Sequence, residues 1–151
     1  MIKKYVLSLL TFILMGSLLW ANPKLVTWEL LSELNNDTGK MPQKIKKLKN
    51  KVVTIEGFIV PLELGEFMDE VQDFILVSNP LACIHVPPPP PNQMVLVKMN
   101  KPIPLDMDER GVAITGRFSI PKPIPGDEMY SYALEGTLAE KANIEFEEFD
   151  E

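Results

Sequence analysis

The chain has 151 residues, of which 15 are basic and 21 acidic, with a formal net charge of −6 and a single cysteine. A chain of this length makes one domain with a modest core. The acidic balance argues against nucleic acid and against an anionic membrane surface as partner, because basic residues hold both. A single cysteine excludes an internal disulfide, so this thiol is buried and inert, bonded between chains, metal-bound or reactive.

The N-terminal residues are typical of a secretory leader. Lys3 and Lys4 form a short basic start, and residues 5–19 are almost wholly apolar. An apolar run of about 15 residues is short for a membrane span, which needs roughly 20. We expect a signal peptide over residues 1–21, cleaved after Ala21, a periplasmic protein and no membrane span after cleavage. An uncleaved N-terminal anchor is the alternative. Loss of two lysines with the leader would bring the net charge to −8.

Residues 22–50 are predicted to form a helical segment. The stretch LVTWELLSEL has apolar residues at helical spacing and indicates a short amphipathic helix, which the polar residues 35–39 would end. Pro42 would open a second, basic turn. The lysines of residues 40–51 are expected to form a solvated face.

Residues 51–142 are predicted to be mainly β and to form a small five-stranded antiparallel barrel of the OB-like type, with a flattened sandwich as the alternative. Runs rich in β-branched and apolar residues place the strands at residues 52–62, 71–77, 93–99, 111–121 and 129–139. Residues 143–151 form an acidic tail, which we expect to fray beyond Phe146.

Two of these strands share a pattern with a glycine in the middle. The matching positions are Val53, Ile55, Gly57 and Ile59 in one strand and Val112, Ile114, Gly116 and Phe118 in the other. Glycine inside a strand costs stability and usually marks a bulge or a close backbone approach. The pattern therefore favours a strongly bent barrel.

The sequence ACIHVPPPPPNQ, residues 82–93, contains the only cysteine and the only histidine of the chain. In an extended segment Cys83 and His85 would lie on the same side, with Cα atoms roughly 6.5 Å apart. Val86 precedes a proline and is thereby kept out of the helical conformation. The five prolines that follow predict a polyproline II rod of about 15 Å.

Three interpretations of this pair stay open. A thiolate and an imidazole are zinc ligands, and a carboxylate would have to complete the set, with Glu63 as first choice and Asp73 as second. Cu(I) is the alternative ion, because Met94 or Met99 could supply a soft thioether.

The second interpretation is an inert core cysteine beside a histidine that donates to a loop carbonyl. The third is a thiol enzyme, in which His85 takes the thiol proton and Asn92 orients the ring. The chain contains no recognised hydrolase, metalloprotease, P-loop or dinucleotide-binding motif. Catalysis is therefore the less favoured reading.

The block at residues 82–93 resembles the hallmark of the bacterial exported proteins grouped as domain of unknown function 3299. Trp28 and the stretch VTIEGFIVPL followed by Glu63 support the resemblance, which extends to about Gly136. The family has no established activity, and its members tend to be encoded near ABC-type export or metal-uptake systems. The resemblance thus implies a periplasmic accessory role, with an envelope protein or an ABC transporter component as partner. It implies Cys83, His85 and Glu63 as the candidate site, supported by Pro87, Pro88, Pro89, Pro90, Pro91, Asn92 and Gln93.

Overall fold

The computed structural model describes residues 22–62, 69–79, 88–122 and 129–144. The predicted leader and its cleavage site precede these ranges and stay predictions. Within the described ranges, no helix is long and apolar enough to cross a bilayer.

The two short helices and the five strands that follow them come in the predicted order, and a two-residue strand that was not predicted precedes the helices. The elements are β1 (Lys24–Leu25), α1 (Trp28–Ser32), α2 (Gln43–Lys46), β2 (Val52–Pro61), β3 (Glu70–Val77), a 3-10 turn (Pro91–Gln93), β4 (Met94–Pro104), a second 3-10 segment (Leu105–Arg110), β5 (Val112–Ser119) and β6 (Tyr132–Lys141). The Thr27 hydroxyl accepts a hydrogen bond from the Leu30 amide and caps the start of α1.

Strands β2 to β6 close into a barrel in the order β2-β3-β4-β6-β5, and β5 pairs back onto β2. The small five-stranded barrel expected from the sequence is therefore confirmed. Four of its ladders are antiparallel, whereas β4 and β6 run parallel. A closed ring of five strands cannot alternate direction at every step, because five is odd, so at least one ladder must be parallel. Strand β1 adds to β2 as a short parallel edge.

The barrel interior holds the main core. Alternate residues of β2 point inward, and Val53 and Ile55 are fully buried there. Strand β4 does the same with Val95 and Val97. The alternation predicted for the first strand is thus confirmed.

Helices α1 and α2 cover one end of the barrel. Leu31 and Ile45 are fully buried in the main core. The buried Tyr132 hydroxyl donates to the Leu31 carbonyl at 2.7 Å, and the Trp28 indole N–H donates to the Glu56 carbonyl at 2.7 Å. The helices are short, so these tertiary contacts rather than helix propensity keep them folded.

Two mid-strand glycines lie where the backbone approaches a neighbour closely. A Cβ at Gly57 would lie 2.5 Å from the Val77 carbonyl oxygen. A Cβ at Gly116 would collide with the Glu135 carbonyl, beside an irregularity in the β5–β6 register. The close approach predicted from the repeated glycine pattern is confirmed at both positions.

Candidate functional site

The Cys–His connection, defined as residues 78–93, joins two neighbouring strand ends. Val77 closes β3, Met94 opens β4, and these two residues are directly paired in the β3–β4 ladder. A turn of two to five residues would be enough to join such a pair. The chain uses sixteen residues instead. Connections of this length inside compact domains are usually functional.

An apolar patch on the outside of the barrel lies next to this connection. We call it the outer cluster, and its buried members are Phe58, Ile75, Val77 and Met94. They alternate with the residues of β2, β3 and β4 that point into the barrel, so the three strands are apolar on both faces. Tyr130 and Ile144 pack against the outer cluster. Both ends of the Cys–His connection therefore begin at residues held in apolar packing.

The C-terminal half of the proline run has the predicted geometry. Pro90 has φ −65° and ψ 154°, which are polyproline II values. Pro88 and Pro90 are exposed, whereas Pro89 and Pro91 are half-buried. The Pro91 carbonyl accepts a hydrogen bond from the Ser131 amide at 2.8 Å. This bond ties the end of the run to the residue before β6.

Asn92 fastens the same end to α1. Its side chain is 7% exposed, and its Nδ2 donates to the carbonyls of Ser32 at 3.1 Å and Leu34 at 2.8 Å. These carbonyls belong to the end of α1, where backbone acceptors lack helical partners. Asn92 therefore fixes the end of the proline run to α1, and its predicted roles in supporting the site and orienting an imidazole stay predictions.

The three predicted ligands, Cys83, His85 and Glu63, and the first proline, Pro87, lie outside the described residues. The nearest described residues along the chain are Leu62 before Glu63, and Asn79 and Pro88 on either side of Cys83 and His85. Leu62 and Asn79 flank the β2–β3 ladder at opposite ends. They are separated by about six residues along the strand direction, which is roughly 20 Å. The four residues from Asn79 to Cys83 can span at most about 14 Å. A site that includes Glu63 therefore requires the Cys–His connection to run back toward Leu62.

The other ligand candidates are described. Asp73 lies in β3 with its carboxylate 3.7 Å from the Lys98 ammonium, on the surface. Met99 is buried in the main core and Met94 in the outer cluster. In the described ranges, no three histidine, cysteine, aspartate or glutamate side chains come close enough to hold a metal ion. The predicted site at Cys83, His85 and Glu63 stays a prediction.

Asp108 is a carboxylate that the sequence did not single out. Its Oδ2 accepts a hydrogen bond from the Ile59 amide at 2.9 Å, just beyond the last β2 residue that pairs with β5. Its Oδ1 is buried and has no partner in the described part of the chain. Burial raises the pKa of Asp108 to about 6, against the lowering effect of the Ile59 hydrogen bond. No sequence signal marks this residue, because its burial depends on the contact between two distant segments.

Comparison with known proteins tests the family resemblance. The family model described as "Protein of unknown function (DUF3299)" matches residues 29–141. The chain belongs to the DUF3299 family. The match confirms the resemblance drawn from the sequence. It assigns no activity, because the family itself is described as of unknown function.

A solved structure agrees with the family assignment. A DUF3299 family protein from Pseudomonas aeruginosa PAO1 is 26% identical and superposes with a TM-score of 0.62, covering 83% of this chain and 100% of that one. A putative aspartyl-tRNA synthetase from Leishmania major Friedlin is 12% identical, with a TM-score of 0.42, over 87% of this chain and 23% of that one. The latter likeness is too low to support an argument. Among curated proteins, none matches the chain.

Proposed function

We propose that this DUF3299 protein is an exported accessory protein that binds a transition metal, zinc first, through Cys83 and His85 and serves an ABC-type transport system in the periplasm. The observation that carries the proposal is the anchoring of the Cys–His connection. The residues that flank it, Val77 and Met94, are paired directly in the β3–β4 ladder. The buried Asn92 holds its C-terminal end. Fixed ends reduce the conformational entropy that ligand side chains lose when they close on an ion.

The donor chemistry supports zinc before other ions. A thiolate and a neutral imidazole are the usual zinc ligands, and a carboxylate or water can complete a tetrahedral set. Glu63 is the carboxylate that we propose. Cu(I) is the second ion, with Met94 as the nearest described thioether in sequence.

Metal content of the purified chain tests this proposal. We expect about one zinc per chain, lost in Cys83→Ser and His85→Ala and weakened roughly tenfold or more in Glu63→Gln. Asp73→Asn is the matched control, because this surface carboxylate is paired with Lys98 and should leave metal content unchanged. Alkylation of Cys83 should accelerate when a chelator removes the ion. Absence of stoichiometric metal after loading with zinc and with Cu(I) would refute the proposal.

A second candidate function is a protein-interaction module that uses the proline run. The specific observation in its favour is the exposure of Pro88 and Pro90 on a segment that is already extended and tied down at Pro91. Aromatic grooves bind such preformed polyproline II segments at low entropic cost. The partner would be an envelope protein.

Proline substitution separates the two functions. Pro88→Ala with Pro90→Ala should abolish capture of the envelope partner by chemical cross-linking in cells, whereas Cys83→Ser should leave it intact. Pro102→Ala with Pro104→Ala is the control, because these two prolines are also exposed but lie in β4. Cross-linking that survives loss of Pro88 and Pro90 would rule out the interaction module and leave the metal proposal standing.

A further inference from the structure

A second surface of the molecule has a chemistry that the proposed function does not use. An open groove of about 610 Å³ lies between the N-terminal residues and the chain around α2. Its lining combines buried apolar side chains with exposed ammonium groups. We call it the lysine groove; it is lined among others by Leu48, Val53, Lys24, Lys44, Lys47 and Lys51.

The fold brings lysines from two kinds of local structure to the groove. Lys44 lies in α2 and Lys47 is the C-cap of that helix, whereas Lys51 lies beyond Asn50, whose φ of 63° ends the helical path, and directly precedes β2. Lys46 and Lys49 do not line the groove. Of the groove lysines, Lys44 is paired with Glu33 at 3.2 Å, and no carboxylate of the described residues lies within 4.0 Å of the other three.

The charge of the chain is strongly divided. Residues 22–53 contain seven lysines and three acidic residues, a net of four positive charges. Residues 54–151 contain six basic and 18 acidic residues, a net of twelve negative charges. The negative net charge of the whole chain argued against an anionic membrane surface as partner. The basic residues are nevertheless concentrated in residues 22–53, which carry a net positive charge. Such a division orients the molecule in the field of a charged surface.

We propose that the lysine groove docks on the surface of an anionic lipid bilayer. Ammonium groups around an apolar base suit an amphiphile with an anionic head, and Val52, 52% exposed at the groove, offers an apolar contact to the headgroup region. Asn22 and Pro23, which line the groove, directly follow the predicted signal peptide at residues 1–21.

The acidic tail of the chain is the competing occupant. Residues 145–151 contain five acidic residues and two phenylalanines, so their charge is also complementary. However, the Ile144 amide donates to the Arg110 carbonyl, next to the β5 end that pairs with Gly57. The groove lies at Val53, four residues or about 13 Å along β2 in the opposite direction. The tail would have to reverse its direction to reach the groove, which favours the bilayer.

Vesicle partitioning tests the proposal with the chain from Asn22 onward, which contains every described element. It should bind vesicles of phosphatidylglycerol and phosphatidylcholine at low salt, release them at high salt and ignore pure phosphatidylcholine. Each lysine near an anionic surface contributes about fivefold to binding. The combined variant Lys24→Gln, Lys47→Gln, Lys51→Gln should therefore lose about 100-fold in partitioning.

A second triple variant is the matched control. Lys40→Gln, Lys46→Gln and Lys49→Gln removes the same charge from the same segment but leaves the groove intact, and it should lose no more than about fivefold. Equal losses in the two triples would show non-specific charge attraction and overturn the proposal. Absence of binding would also overturn it. If binding then appeared on deletion of residues 145–151, the tail would be identified as the occupant.

Discussion

At the scale of single residues, Asp108 shows how a contact between distant segments changes chemistry. One carboxylate oxygen of Asp108 accepts a hydrogen bond from the Ile59 amide, at a point where β2 is no longer paired with β5. The other carboxylate oxygen is buried. Desolvation disfavours the charged form more than the single hydrogen bond favours it. The pKa of Asp108 therefore rises to about 6 from an ordinary value of 3.8.

The sign of the resulting pH dependence follows from linkage. Between pH 3.8 and about 6 the folded chain binds a proton at Asp108 that the unfolded chain has released. The contribution of Asp108 to stability is thus fully present below pH 3.8 and is lost as the pH rises through 6. Above that range the folded state holds a half-buried, poorly solvated charge.

Asp108→Asn should remove this dependence. The amide oxygen can still accept from the Ile59 amide, and no charge is buried. We expect the thermal midpoint of the variant, relative to the natural chain, to increase between pH 4 and pH 7 in scanning calorimetry. Asp106→Asn, at an exposed position of the same 3-10 segment, is the control and should track the natural chain. A constant difference across this range would contradict the assignment.

At the scale of elements, the 3-10 turn at Pro91–Gln93 joins parts that are far apart in sequence. Through Asn92 it holds the end of α1, and through the Pro91 carbonyl it holds Ser131 ahead of β6. Helix α1 has only five residues, too few to be stable alone. The turn therefore fixes the helical end of the barrel and the exit of the Cys–His connection together.

Asn92→Ala should destabilise the protein by about 2–3 kcal/mol, because it leaves two carbonyls near the end of α1 without their buried donor. Urea denaturation would show a lower midpoint with an unchanged slope. Asn100→Ala, at an exposed position of β4, should change stability by less than about 0.5 kcal/mol. Equal midpoints for the natural chain and Asn92→Ala would show that the two hydrogen bonds do not hold α1.

At the scale of the whole molecule, the small barrel carries two separate regions that differ in chemistry. The lysine groove lies beside β1 and α2, and the Cys–His connection leaves from the outer cluster on β2, β3 and β4. Of the connections between consecutive barrel strands, the Cys–His connection is the longest at sixteen residues, followed by the twelve residues between β5 and β6. A protein that faced a membrane with one region would present the other to a partner or an ion.

The sequence by itself determined the five barrel strands, the two short helices and the family, but not the short edge strand β1. Alternation of apolar residues is a local property of a strand, and the family resemblance was drawn without coordinates from ACIHVPPPPPNQ and VTIEGFIVPL. The mid-strand positions of Gly57 and Gly116 likewise predicted a close approach of the backbone to a neighbouring segment, although the sequence did not identify that segment. The candidate ligands Cys83 and His85 also came from sequence alone and still await measurement.

Only the tertiary structure decided the parallel β4–β6 ladder, the burial of Asp108 and the contacts of Asn92. Each depends on which segments meet across long stretches of chain: Asn92 and Leu34 are 58 residues apart, and Ile59 and Asp108 are 49. The lysine groove belongs to the same class, because net charge is a sum over the chain whereas a surface depends on which charges the fold brings together. The local pattern of residues specifies the helices and strands. The closing of the barrel specifies which side chains of those helices and strands lie next to each other.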